Sequence, residues 1–103
     1  LLTKTEIEDG LHASLAETSL MLALKPELVG DERPIEGIKG KIPEGWSLEG
    51  NAPTAWLTDD FSKSGVIGDS RGANANLGND LKNLLIGHWY KLIVNLMKSD
   101  WPN

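Results

Sequence analysis

The sequence predicts a mixed α/β pattern, in which two main helices are separated by a long irregular connection and short strands. Three observations predict it. Residues 14–25 are rich in Ala, Leu, Met and Glu and free of internal Gly and Pro, the composition of a helix. From Leu77 to Leu96 apolar residues recur at three- and four-residue steps, the strongest helical period in the chain. Between the two, Gly30, Pro34, Gly37, Gly40, Pro43, Gly45, Gly50 and Pro53 fall too densely for any regular element longer than a few residues.

A chain of 103 residues holds one small domain with a modest core. Ten basic and fifteen acidic residues give a formal charge of -5. The positive charges are scattered, so the chain carries no nucleic-acid footprint. With no cysteine there are no disulfides, thiolate metal sites or thiol nucleophiles, a composition that fits a cytoplasmic protein. The opening Leu1-Leu2-Thr3-Lys4-Thr5 turns acidic at once, unlike a signal peptide. No apolar run reaches membrane-spanning length. Eleven glycines and five prolines, with one Phe and one Tyr beside four Trp, describe much loop and few large core residues. The first residue is Leu1, and the expectation is a single partial domain, residues 1–103, belonging to a larger folding unit.

Taken in order, Leu1 to Gly10 is polar without a lasting period and reads as a loop or short extended piece. In the first helix, Leu15, Leu20, Met21, Leu22 and Leu24 give an apolar surface wider than one stripe, which predicts burial on most sides. Ser14 followed three positions on by Glu17 matches a capping box. Pro26 ends the helix or begins a short final turn. The connection from Gly30 to Thr54 is long enough to be functional or to lie along another subunit. Trp46 and Trp56 are its expected anchors, as packing plugs or pocket walls. Ser64 to Ile67 predicts a short strand or the start of one, and Gly68 to Gly72 a turn. The last helix starts between Ala73 and Asn76 and fades by Ser99 to Pro102. Gly78 and Gly87 inside it each cost about 1 kcal/mol against Ala and point to close approach by a neighbour or ligand. Two helices and a few extended pieces cannot bury each other's apolar faces well.

Only His12 and His88 are histidines. His88 shares a helix face with Leu81, Leu84, Leu85 and Leu92 and reads as a core or interface imidazole. His12 precedes the first helix, follows Glu8, Asp9 and Gly10, and has small neighbours in Ala13 and Ser14. Such a histidine can serve as general base or metal ligand, or simply decorate the surface. Glu17 lies five positions on, so the pair does not match the helical His-to-Glu spacing of metal helices. It can cap the helix or orient a neighbour. Glu6, Glu8 and Asp9 could supply a carboxylate or form a solvated loop. Gly65 to Asp69 lacks the phosphate-loop Lys and the dinucleotide glycine spacing. Asp59 and Asp60 read as a solvated turn or cap.

His12-Ala13-Ser14, then Glu17-Thr18-Ser19-Leu20-Met21-Leu22-Ala23-Leu24 and Pro26-Glu27-Leu28-Val29, strongly resembles the late signature of the creatininase family of metal-dependent amidohydrolases. Phe61-Ser62, Ser64 to Asp69, Ala73, Ala75 and Gly78 resemble the segment before that family's last helix. The resemblance implies the C-terminal portion of an α/β fold with a central, mainly parallel sheet and a commonly hexameric assembly. It implies divalent metals, zinc with manganese or a second zinc, for the complete enzyme, with none bound by this chain alone. It assigns His12 to substrate binding and proton transfer and Glu17 to supporting that region. Glu8, Ser14 and Trp46 complete the expected substrate contacts. Glu8 stands where creatininase itself has an aromatic residue, and Ser14-Leu15 where many members have Gly-Glu. On this resemblance the family's N-terminal half, expected to supply nearly all the metal ligands, lies outside these 103 residues.

The expected function is hydrolysis of a cyclic or linear amide C–N bond in a small molecule, within a larger or split enzyme or a homo-oligomer. The alternative is a noncatalytic remnant or assembly domain of the same fold that lacks the metal ligands. A third reading is a small-molecule binding module walled by Trp46 or Trp56. Neither nucleic acid nor membrane is an expected partner.

Overall fold

Thr3 opens the first helix by accepting the Glu6 N–H at its hydroxyl, 3.2 Å away. The helix, α1, spans Lys4–Asp9 in the computed structural model, which describes residues 1–37 and 42–103. Residues 1–10 are therefore mainly helical, not the expected loop. The cause is local: Thr3-x-x-Glu6 is a helix-start pattern, and the Gly10 N–H closes the last turn on the Glu6 carbonyl at 3.0 Å. Six residues do not sustain a helix alone. Its tether is Glu6, the one buried residue of α1.

Helix α2 spans Leu15–Leu24, followed by a 3-10 turn at Pro26–Leu28, as Pro26 predicts. Ser14 stands at the N-cap, but its side chain caps no backbone N–H. Its hydroxyl is drawn instead to Glu6, so the expected Ser14/Glu17 capping box does not form. Helix α3 spans Ala75–Met97 and opens on Asn74, whose Oδ1 accepts the Leu77 N–H at 2.9 Å.

Helices α2 and α3 meet through small groups. Ser19 is wholly buried, Gly78 is the buried residue of α3, and the Ser19 Oγ accepts the Asn74 N–H at 3.1 Å. A Cβ at Gly78 would overlap the Ser19 carbonyl and lie 2.9 Å from the Ala23 Cβ. This fulfils the expected close approach at Gly78. At Gly87 no atom of the described residues lies within 4 Å of such a Cβ. The burial expected on most sides of α2 is not observed, since Met21 and Leu24 are exposed. The reason is the closeness of the Ser19–Gly78 crossing, which leaves the large side chains flanking it. On α3, Leu84, Leu85, Ile86, Trp89, Tyr90 and Leu96 are exposed. His88 is exposed as well, so the core reading does not hold within this chain.

Strand β1, Ile35–Glu36, pairs antiparallel with β2, Gly68–Asp69, in the register Ile35 to Asp69 and Glu36 to Gly68. Just before β2, Ile67 forms an antiparallel bridge with His12. The strand thus falls slightly later than Ser64 to Ile67, because Ser64 is occupied with Glu36. The mainly parallel central sheet is not formed by the described residues, whose one two-stranded sheet is antiparallel.

In the long connection, residues 38–41, including the expected breaker Gly40, lie outside the described residues. Ser47 bridges Pro53. Trp56 is the anchor expected of it: its Nε1 donates to the Leu48 carbonyl at 3.1 Å and its ring meets Phe61 edge-on at 5.7 Å. Trp46 is 56% exposed and anchors little. Asp60 caps the 3-10 turn Thr58–Asp60 by accepting the Leu57 N–H at 2.7 Å, the role expected of the acidic pair. Among the described residues no helix is long and apolar enough to cross a membrane.

The two helical glycines are expected to respond oppositely to alanine. Gly78→Ala forces α2 and α3 apart and should destabilise the chain by about 1–3 kcal/mol. Gly87→Ala meets no atom of the described residues and should stabilise it by about 0.5–1 kcal/mol. Urea unfolding followed by far-ultraviolet circular dichroism reads both.

Candidate active site

The loop between α1 and α2 is fixed on two sides while its histidine stays outside. The His12 N–H donates to the Ile67 carbonyl at 3.2 Å, and the Ile67 N–H donates back to the His12 carbonyl at 2.8 Å. Leu11 adds a second N–H to the Ile67 carbonyl at 2.9 Å. Ile67 is wholly buried, so this pairing is anchored from within. The His12 side chain remains exposed.

Ala13 then turns into the left-handed region, at φ 49°, which costs a residue with a Cβ about 1–2 kcal/mol. Both its backbone groups are held from α2. The Glu17 carboxylate accepts the Ala13 N–H, and the Thr18 Oγ1 donates to the Ala13 carbonyl at 2.9 Å. Glu17 thus reaches back from the first turn of α2, one residue further than a capping box requires.

Ser14 is 2% exposed. Its hydroxyl donates to Glu6 Oε2 at 2.6 Å and accepts the Asp69 N–H at 3.1 Å. The other carboxylate oxygen of Glu6 accepts the Ala16 N–H at 2.9 Å. Glu6 therefore performs the capping of α2 that Ser14 does not. Gly68 is buried at φ 134°, and a Cβ there would overlap the Ser14 hydroxyl. Only glycine fits that position.

Two carboxylates secure the flank of the site. Glu36 accepts the Ser64 hydroxyl at 2.7 Å, the Lys63 N–H at 2.8 Å, the Ser64 N–H at 3.0 Å and the Ser62 hydroxyl at 2.9 Å. These donors, the Ser64 hydroxyl foremost, pull its pKa from 4.5 to about 2. Asp69 is gripped by Arg71, with NH2 to Oδ2 at 2.8 Å and Nε to Oδ1 at 2.9 Å. That fork holds the Asp69 pKa at about 2 and raises that of Arg71. Asp69 also accepts the Arg71 N–H at 3.0 Å, the turn-capping role expected of it. Glu36, Asp69, Arg71, Glu6 and Glu8 line a groove of about 850 Å³ with Gly10, Leu11 and Gly68.

Of the residues expected at a site, the structure brings His12, Ser14 and Glu17 into one latched loop. Glu8 is apart on α1, in an i,i+4 ion pair with Lys4 at 3.7 Å, and lines the groove. Trp46 lies on the long connection, and neither it nor His12, Ser14 or Glu17 is among the residues lining that groove. The sequence offers Glu6 only as one of three acids that could supply a carboxylate or form a solvated loop, and not as the buried support of Ser14. The signal that could have found it is the spacing from Thr3, which makes residue 6 helical and able to turn inward. Glu36 and Arg71 carried no signal, since their partners lie in loops.

A family model for creatininase, described as creatinine amidohydrolase, matches residues 1–93. The chain belongs to the creatininase family. Neither a curated protein nor a solved structure matched it. Creatininase-family enzymes are generally metal-dependent. Among the described residues no group of three or more His, Asp and Glu side chains is gathered as metal ligands. The donors that are present are committed elsewhere: Glu6 to Ser14 and Ala16, Glu17 to Ala13, and Asp69 to Arg71. This set does not fit a divalent centre.

The Glu36 clamp has a definite pH signature. Its folded pKa lies below its ordinary value, so its contribution is complete above pH 4.5 and is lost as pH falls toward about 2. The amide resonances of Lys63 and Ser64 should titrate with a midpoint near pH 2. In Glu36→Gln that titration should vanish, and stability should fall less steeply across the same window.

Proposed function

We propose that this chain works within a creatininase-type amidohydrolase that cleaves a cyclic or linear amide C–N bond in a small molecule, with His12 as its proton-transfer residue. The observation that carries the reading is the combination of a fixed backbone and a free imidazole. His12 is paired on both its N–H and carbonyl to Ile67, its neighbour Ala13 is held by Glu17 and Thr18, and its ring stands in solvent. Amide hydrolysis needs such a group. Water adds to the carbonyl carbon, the C–N bond breaks, and the leaving nitrogen must receive a proton, which an imidazole can supply near neutral pH. Glu17 acts by fixing Ala13. Glu8 and Trp46 remain proposed substrate-side residues, whereas Ser14, buried with its hydroxyl bonded to Glu6, supports the loop from within. The groove bearing Glu8 is of a size for a small molecule and runs along Gly10 and Leu11, next to His12 in the chain.

The zinc and manganese of the family reading belong, on this proposal, to further structure packed against α2 and α3. Support comes from the surface. The chain exposes 7934 Å², against about 5,700 Å² for a free-standing domain of its mass. Among the exposed large apolar side chains, many stand on the later turns of α3. Continuation of the same domain, with the mainly parallel sheet, or a homo-oligomer would cover them. A cysteine-free composition accords with a cytoplasmic setting.

The test is amide hydrolysis by the whole encoded protein, assayed on a panel of cyclic and linear amides with zinc or manganese supplied. His12→Asn should lower kcat about 10²- to 10⁴-fold and leave the unfolding curve unchanged, because the ring is exposed. An equal rate in the variant overturns the assignment of His12. No hydrolysis by the wild type favours the noncatalytic remnant. A separate measurement addresses the surface: the 103-residue chain alone should self-associate in gel filtration and bind an apolar dye. Trp89→Glu with Ile93→Glu should reduce both.

A further inference from the structure

We infer that Glu6 is a positioning residue for His12, acting through Ser14; the inference rests on the reading of His12 as the proton-transfer group. Glu6 is 7% exposed, and among the described residues no Lys or Arg pairs with it. A carboxylate in that setting is costly unless both oxygens are bonded. Both are, to the Ser14 hydroxyl at 2.6 Å and the Ala16 N–H at 2.9 Å.

The consequence lies in the single proton of the Ser14 hydroxyl. A carboxylate only accepts, so the hydroxyl must donate toward Glu6, and a lone pair is left to receive the Asp69 N–H at 3.1 Å. Ser14 is thereby tied to Asp69 as His12 is tied to Ile67, two residues on in each segment. The one residue between the two ties is Ala13, held left-handed. The clamp has no slack. A Cβ at Gly10 would lie 2.5 Å from Glu6 Oε2, and one at Gly68 would overlap the Ser14 hydroxyl. Moving the Glu6 carboxylate therefore moves Ser14, and with it the segment that carries the imidazole.

Glu6→Gln tests this, because glutamine offers one acceptor oxygen where two donors converge. Amide hydrogen exchange should accelerate about tenfold at Leu11, His12 and Ile67 with no change at Gly78 in α3. In the whole enzyme kcat should fall about 10- to 100-fold, as misplacement of a reacting group does, with KM within about twofold. Ser14→Ala should reproduce both effects and add little in the Glu6→Gln background, since the two act in one chain; it also serves as the reading should Glu6→Gln fail to fold. Unchanged exchange at His12, or acceleration that includes Gly78 equally, overturns the inference. Local acceleration in a protein whose wild type hydrolyses no amide upholds the clamp and overturns the hydrolase reading instead.

Discussion

The pairing of His12 with Ile67 is the constraint on which the remainder depends. Ile67 is the large side chain withdrawn completely from solvent, and its peptide groups face His12 and Leu11. One residue later the same strand turns to β1, where Glu36 faces Gly68. A single short segment, 67–69, thus joins the α1–α2 loop to the long connection. Slipping this pairing by one residue would put the Ile67 side chain on the opposite face. It would also carry Gly68 away from Ser14, where only a residue without a Cβ fits.

The buried interior of the described chain is unusual in kind. Ser14, Ser19, Ser62 and Ser70 are buried, alongside only Leu48, Val66 and Ile67 among large apolar groups. Each hydroxyl is bonded: Ser70 to the Pro34 carbonyl at 2.6 Å, Ser62 to Glu36, Ser14 to Glu6, and Ser19 to the Asn74 N–H. Hydroxyls add little net hydrophobic stabilisation but fix geometry, because an unmade bond in such a place costs about 1–3 kcal/mol. Apolar area, the larger source of stability, is concentrated on α3, where this chain leaves it uncovered. Geometry at the loop is therefore set by hydroxyls and carboxylates, while the apolar face of α3 contributes to stability only where something covers it.

That division explains what could be read from the residues. Helices α2 and α3 were legible because propensity and period are local properties, and their observed bounds follow Ser14, Pro26 and Asn74 closely. The burial of α2 was misjudged because the pattern of Leu and Met says where apolar groups are, whereas Ser19 and Gly78 decide where the helices touch. The role of Glu6 escaped for a similar reason. An acid among acids reads as solvated until its distant partner, Ser14, is known. Helix α1 was within reach of the sequence, since Thr3 and Glu6 stand at helix-start spacing, but their short polar segment has no apolar period to reinforce it.

The Glu17-Thr18-Ser19 run gains a physical meaning from these contacts. Three successive helical residues point about 100° apart, and each holds something different: Glu17 the Ala13 N–H, Thr18 the Ala13 carbonyl, Ser19 the Asn74 N–H. The first two offset the left-handed strain of Ala13. The third sets α3 against α2 at its first turn. A helix whose start is tied at once to the histidine loop and to the next helix cannot move without moving both. The position of His12 is thereby referred to the α2–α3 contact, and through α3 to whatever covers its apolar face. In a domain completed on that face, packing far from the loop would steady the imidazole without touching it.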